Sequence, residues 1–424
     1  MKFYINSSDR FINVFLRGLT LVSRFGLLLF LAKFLDPEKV GEYGLLAASI
    51  GYLVYVIGFE FYVYSNREVA LNNNEVQLFF LKNQLTLGLL TYLFIMPLVW
   101  IFFKYASLPL IYLHLGMVIL LFDYISLELY RYLVATQQQL KAGLLLFIRS
   151  GLWPFFVVLA MFLYDDIKNL DSVLYFWSFG SFASVVYGIY ILDIQLPNNL
   201  KSFYVYDIAW IRRGLKITFP YFLAALSVQA IFVLDRFFLE SILGLDILAV
   251  YVLFIGIIFA IISFIDAGIF AYLYPKLLVM AKDQEFNAFY KLFNKMIIQV
   301  VFSIVTLSSL VGVFYFYGVE YLDNEVYREY WIILPLLLLM VFFQLLGTAY
   351  QIGLYALNKD AIISNIKISL IFVFILLVWL CMQVFLLYAI PLALIFVFIL
   401  QLTLYFYYFK KYKVKNYHLK INKL

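Results

Sequence analysis

Apolar residues fall in long, nearly unbroken blocks along this chain, and polar residues are gathered into short interruptions between them. A helix needs about 20 consecutive apolar residues to cross the hydrocarbon core of a bilayer. The blocks predict twelve such helices, near residues 11–35, 43–65, 80–103, 108–134, 142–164, 172–194, 214–240, 247–273, 290–316, 328–356, 361–384 and 387–409. The interruptions are brief: DPEK at 36–39, NREVALNNNE at 66–75, DDIKNLD at 165–171, LPNNLKS at 196–202, KDQE at 282–285, DNEVYRE at 323–329 and NKD at 358–360. None is long enough to fold as a separate soluble domain, so the function is exercised within or beside the bilayer. The first block is too long for the apolar core of a signal peptide and lacks a small-x-small cleavage site, so it reads as a retained helix.

Composition agrees with an all-α polytopic membrane protein. The chain is 66% hydrophobic and 21% aromatic with 13% charged residues, where a soluble domain carries about 25% charge. The single cysteine, Cys381, has no partner for a disulfide or a thiolate metal site, and only His114 and His418 supply imidazole. Cysteine or histidine nucleophiles and metal centres are therefore not expected. No G-x-x-x-x-G-K-[ST] loop occurs, so energy is expected from an ion gradient, H+ or Na+, or from downhill substrate flow, with no cofactor. Lysine and arginine set the orientation. With a cytoplasmic N-terminus, 21 of them fall on the inner side against five, Lys33, Lys39, Lys104, Lys168 and Arg328, on the outer side. Both termini are thus expected to be cytoplasmic, and the tail KKYKVKNYHLKINKL at 410–424 reads as an orientation signal and headgroup anchor. No nucleic-acid-binding module accompanies it.

The segment 196–213 divides the chain into an N-lobe (1–195, helices 1–6) and a C-lobe (214–409, helices 7–12). Moving the second half back by 208 positions sets LAKFLDPEKVGEYGLL at 31–46 over LESILGLDILAVYVLF at 239–254. Leu31 then falls on Leu239, Leu35 on Leu243, Tyr43 on Tyr251, Leu45 on Leu253, Ile50 on Ile258 and Ile57 on Ile265. An even number of helices per half keeps the two in the same orientation, which makes the repeat parallel.

The first two helices, SRFGLLLFLAKFLDPEKVGEYGLLAASIGYL, resemble the opening of the bacterial Wzx-type O-antigen and exopolysaccharide flippases. DRFFLESILGLDILAVYVLFIGI resembles that family's second-half counterpart, and AYLYPKLL at 271–278 and GLYALNKDAIISNIKI at 353–368 are similar to further family segments. The resemblance runs in order over nearly the whole chain. It implies the multidrug/oligosaccharidyl-lipid/polysaccharide exporter superfamily, with two six-helix lobes of MATE-like fold around a central cavity. It also implies a bacterial cytoplasmic-membrane location and a role in surface polysaccharide or lipopolysaccharide biosynthesis. The implied substrate is undecaprenyl-diphosphate-linked oligosaccharide, with the bilayer and the polysaccharide polymerase and chain-length machinery as partners. Desolvating each sugar hydroxyl without a partner costs roughly 2–7 kcal/mol, so the protein's implied task is to give the head a hydrated, charged path. A multidrug or metabolite exporter of the same superfamily is the alternative, and a membrane-embedded polymerase or ligase is the rival from the enzyme class.

Charged residues inside the blocks are the candidate site. Arg17 and Arg24 are seven apart, hence nearly on one face of the first helix. Together with Arg149 and Arg236 they are the candidates for holding an anionic headgroup, since guanidinium forks suit diphosphate oxygens. The competing reading gives Arg17 and Arg24 carboxylate partners, or lets Arg17 snorkel; it pairs Arg149, close to Pro154, with Glu128, and makes Arg236 an interfacial anchor. Asp123, Glu60 and Asp266 are the candidates for ion coupling. Glu60 and Asp266 correspond under the 208 offset to within two positions. Glu128 can meet Arg131 at i+3, and these two with Asp235 are the candidates for structural ion pairing.

Overall fold

A computed structural model of the protein describes residues 7–71, 74–105, 110–193, 207–322 and 324–421. Among them twelve helices are long and apolar enough to cross a membrane: Phe15–Phe34, Pro37–Gly58, Val76–Trp100, Ile111–Ala135, Gln139–Leu163, Leu170–Leu192, Ile208–Leu243, Leu245–Lys282, Phe286–Tyr321, Ile333–Ala356, Asp360–Met382 and Leu386–Lys413. They are called spans 1–12 below. Their number and order match the sequence-based expectation, and no strand occurs among the described residues. Several boundaries move by a few residues, and two of the differences are instructive. Span 2 opens at Pro37, six residues before the expected start, because proline at the first helical position loses no hydrogen bond and presets φ. The polar stretch 66–75 is not simply a loop, since the helix Tyr62–Leu71 covers its first part.

The chain divides into two compact units, Met1–Leu226 and Ser227–Leu424. The division falls inside span 7 rather than in the 196–213 segment, of which residues 196–206 lie outside the described residues. The start of span 7 belongs to the first unit for a visible reason. Trp210 packs its ring 5.1 Å from Phe61, 5.4 Å from Tyr64 and 4.9 Å from Phe80, a contact set that ties it to the end of span 2, the helix Tyr62–Leu71 and span 3. In the second unit spans 9, 10 and 12 meet through Phe293, Tyr350 and Phe409, with the Phe293 and Phe409 rings 4.3 Å apart.

Five of the six pairs set by the 208 offset share burial, the exception being Leu35, buried, against Leu243, half-buried. Leu31 and Leu239, Tyr43 and Tyr251, Leu45 and Leu253, Ile50 and Ile258, and Ile57 and Ile265 are all buried. The turn after Phe34 corresponds to the turn after Leu243. The break that follows is also repeated. Span 2 stops at Gly58 with Phe59 and Glu60 in the left-handed region, φ 49° and 52°, before the next helix starts at Tyr62. In span 8 the α-helix stops at Ile265, a π turn covers Asp266–Phe270, and α-helix resumes at Ala271. Each half therefore interrupts its second helix at an equivalent position along the chain, and each interruption carries a carboxylate.

Candidate functional site

Span 1 has two different sides. Phe15, Val22 and Leu29 recur at intervals of seven and are exposed, which is the stripe a helix turns toward lipid. Arg24 is also exposed, yet at about 100° per residue it lies nearly opposite Val22. An arginine at the bilayer centre costs roughly 2.5–3.5 kcal/mol on insertion scales. That cost is avoided if the side bearing Arg24 opens onto water or an anion rather than hydrocarbon. Arg17, one heptad earlier, is half-buried and donates from Nη2 to the Tyr130 hydroxyl of span 4 at 3.4 Å.

Span 5 contributes Arg149 through a break in its own helix. Residues Ile148–Leu152 form a π turn directly before Trp153 and Pro154. In an uninterrupted α-helix Arg149 would share a face with Phe156, seven residues on, and Phe156 is exposed. A π turn spends about one extra residue of rotation, which aligns Arg149 with Val157, a fully buried position. The turn thus carries the guanidinium from the outer face of the helix to the inner one. Trp153 secures the turn by donating its indole N–H to the Arg149 carbonyl at 3.1 Å, and its ring stacks on Trp177 of span 6 at 5.6 Å and 6°.

Asp123 of span 4 faces the same place. Its Oδ1 accepts from the Ser181 hydroxyl at 2.8 Å and its Oδ2 from the Trp177 indole at 3.3 Å. One turn further on, the Ser184 hydroxyl donates to Ser126 at 2.7 Å. Trp177, Ser181 and Ser184 recur at i, i+4 and i+7, so one face of span 6 is zipped to one face of span 4. Arg149 and then Arg24 are the positive charges that act on Asp123. Arg149 in turn feels Asp123, Arg24, Arg131 and Tyr130. Two arginines therefore act on one aspartate, leaving positive charge in excess. Neither Arg24 nor Arg149 has a carboxylate oxygen within 4.0 Å among the described residues.

Glu128 does not pair with Arg149. It lies 2.7 Å from Arg131, the i+3 neighbour, and accepts from the Gln84 amide, which itself accepts from Ser65. Glu60 sits 3.8 Å from the other side of Arg131, whose guanidinium covers the Tyr62 ring at 3.7 Å. This network lies against the break after span 2: a Cβ at Gly58 would stand 3.4 Å from Glu128 Oε1, in ordinary contact. Glu60 is thus a buried member of an ion-pair network.

In the second unit Asp235 is fully buried and accepts from the Tyr251 hydroxyl at 2.5 Å and from the Arg236 backbone N–H at 2.6 Å. Arg236 is buried too and donates from Nη1 to the Phe232 carbonyl at 2.7 Å. Asp266, on the π turn of span 8, is exposed, and its side chain makes no hydrogen bond or ion pair among the described residues. A Cβ at neighbouring Gly268 would meet nothing within 4 Å. No group of three or more His, Cys, Asp or Glu residues able to hold a metal ion occurs among the described residues.

Sequence reasoning missed Trp153, Trp177, Ser181, Tyr130 and Gln84. Nothing in one chain marks a tryptophan or serine of an apolar block as the partner of a charge 54 or 58 residues away. The Arg149-x-x-x-Trp153-Pro154 spacing was the one local signal available, since indole at i+4 can reach the carbonyl that a disturbed helix leaves open.

The fold is that of MATE transporters. A multidrug resistance MATE family transporter of the MOP superfamily in its inward-facing conformation superposes with a TM-score of 0.76 at 12% identity, over 96% of this chain and 99% of that one. A MOP superfamily transporter from Pyrococcus furiosus, described as having a binding pocket of reverse polarity that suggests a different function, gives 0.67 at 12% identity over 96% of each chain. A MATE transporter from Vibrio cholerae gives 0.61 at 13% identity, over 96% of this chain and 98% of that one. The class is therefore a multi-pass membrane protein of MATE-like fold. The chain belongs to the polysaccharide biosynthesis protein family, whose pattern matches residues 10–282. Comparison with curated proteins returns no match.

Proposed function

We propose that the protein is a flippase that moves undecaprenyl-diphosphate-linked oligosaccharide from the cytoplasmic to the outer leaflet of a bacterial cytoplasmic membrane, by alternating access and with both termini cytoplasmic. The observation that carries this reading is the pair Arg24 and Arg149, two mid-span guanidinium groups without a carboxylate partner among the described residues. Charge in the middle of an apolar span is retained where water or a counter-charge meets it, and the bidentate fork of arginine matches phosphate oxygens. Excess positive charge disfavours a cationic drug as cargo. Membership of a polysaccharide biosynthesis family supports a glycan as the head that the diphosphate carries. Removing the gene is expected to leave lipid-linked glycan on the inner leaflet; a block before lipid linkage contradicts the reading.

Among the three carboxylates considered for ion coupling, Asp123 is hydrogen-bonded and Glu60 is paired with Arg131, whereas Asp266 is exposed and unpartnered among the described residues. Asp266 is the coupling group in this reading, on a π turn of the kind that recurs at functional sites. Asp266→Asn is expected to leave residual export that no longer responds when the proton or sodium gradient is collapsed. Export by Asp266→Asn that stays fully gradient-dependent would assign coupling elsewhere.

A further inference from the structure

We infer that Trp177 and Ser181 are positioning residues that keep Asp123 from closing onto Arg149, so that the guanidinium stays open to the anionic headgroup; this rests on the reading just given. An aspartate beside an unpartnered arginine would ordinarily pair with it. Here Arg149 is the strongest positive charge acting on Asp123, yet the two are not within 4.0 Å. The reason is on span 6. A fork-to-fork pair with arginine needs both carboxylate oxygens turned toward the guanidinium, and here each is tethered to span 6, Oδ1 by the Ser181 hydroxyl and Oδ2 by the Trp177 indole, so the carboxylate is held by direction although lone pairs remain on both oxygens.

The restraint is built into the packing rather than into one bond. Ser181 is fully buried and Trp177 nearly so. Trp177 is fixed by its parallel stack on Trp153, and Trp153 also holds the Arg149 carbonyl. One tryptophan pair therefore fixes the backbone of the arginine on one side and the carboxylate of its natural competitor on the other. Gly180 admits this arrangement: a Cβ there would come within 2.6 Å of the Trp153 ring. Asp123 so held lowers the local excess of positive charge without occupying the fork, which favours a reversible hold on a diphosphate over a permanent one.

The test uses purified full-length protein and an isoprenyl diphosphate as the probe, with membrane abundance measured alongside. Trp177→Phe combined with Ser181→Ala is expected to weaken probe binding about tenfold, because Asp123 is then free to pair with Arg149. Adding Asp123→Asn to that double variant is expected to restore binding, which a merely structural defect would not allow. Asp123→Asn alone is expected to bind the probe more tightly than the unaltered protein and serves if the double variant does not accumulate. Unchanged affinity in the double variant, failure of Asp123→Asn to restore it, or weaker binding by Asp123→Asn alone overturns the inference and leaves the headgroup reading standing. Absence of probe binding by the unaltered protein, or unaltered binding by Arg149→Ala, overturns both.

Discussion

Arg149→Ala and Arg24→Ala each abolish glycan export while the protein reaches the membrane at its normal level. Neither guanidinium has a carboxylate within 4.0 Å among the described residues, so removing one strands no buried partner. What is lost is the charge-assisted hold on the diphosphate. Truncating one side of a desolvated charge pair costs about 2–5 kcal/mol, enough to reduce export at least about thirtyfold. Lysine keeps the charge and loses the two-pronged geometry, so Arg149→Lys and Arg24→Lys keep part of the activity. Surface glycan and membrane abundance, measured together, check the result. A parallel fall in abundance, restored by Asp123→Ala, would instead make Arg149 or Arg24 a structural partner of Asp123.

Arg131→Ala has the opposite signature. Arg131 stands between Glu128 at 2.7 Å and Glu60 at 3.8 Å, and its ring contact with Tyr62 closes the break after span 2. Removing it leaves two buried carboxylates facing each other, and breaking a buried pair costs about 3–5 kcal/mol. Abundance and thermal stability in detergent therefore fall together with export. Combining Arg131→Met with Glu128→Gln and Glu60→Gln recovers much of the stability, because a neutral, volume-matched cluster needs no counter-charge. Arg131→Ala that accumulates normally and lacks export would move Arg131 from the structural network into the transport path.

The contrast between these arginines marks what a single sequence discloses. Twelve spans were legible because hydrocarbon thickness imposes one length on every helix. The repeat was legible because pairs such as Tyr43 with Tyr251 and Ile57 with Ile265 serve the same buried positions in each half. Candidate charges stood out because charge in an apolar block is rare. Their partners did not: Arg131 and Arg149 look alike as letters, and only the fold sets one between two glutamates and leaves the other open. The π turns at Ile148–Leu152 and Asp266–Phe270 were hidden as well, since a one-residue change of helical register leaves no compositional trace. Pro154 hinted at the first.

The central claim is that the arginines of the first unit carry a lipid diphosphate across the bilayer. Its most direct test places purified protein in sealed vesicles with an isoprenyl-diphosphate-linked oligosaccharide in one leaflet and measures the glycan that becomes accessible to a lectin or glycosidase on the other side. The unaltered protein is expected to transfer it and the Arg149→Ala protein to leave it where it began. Transfer at equal rates by both, or by neither, would contradict the account.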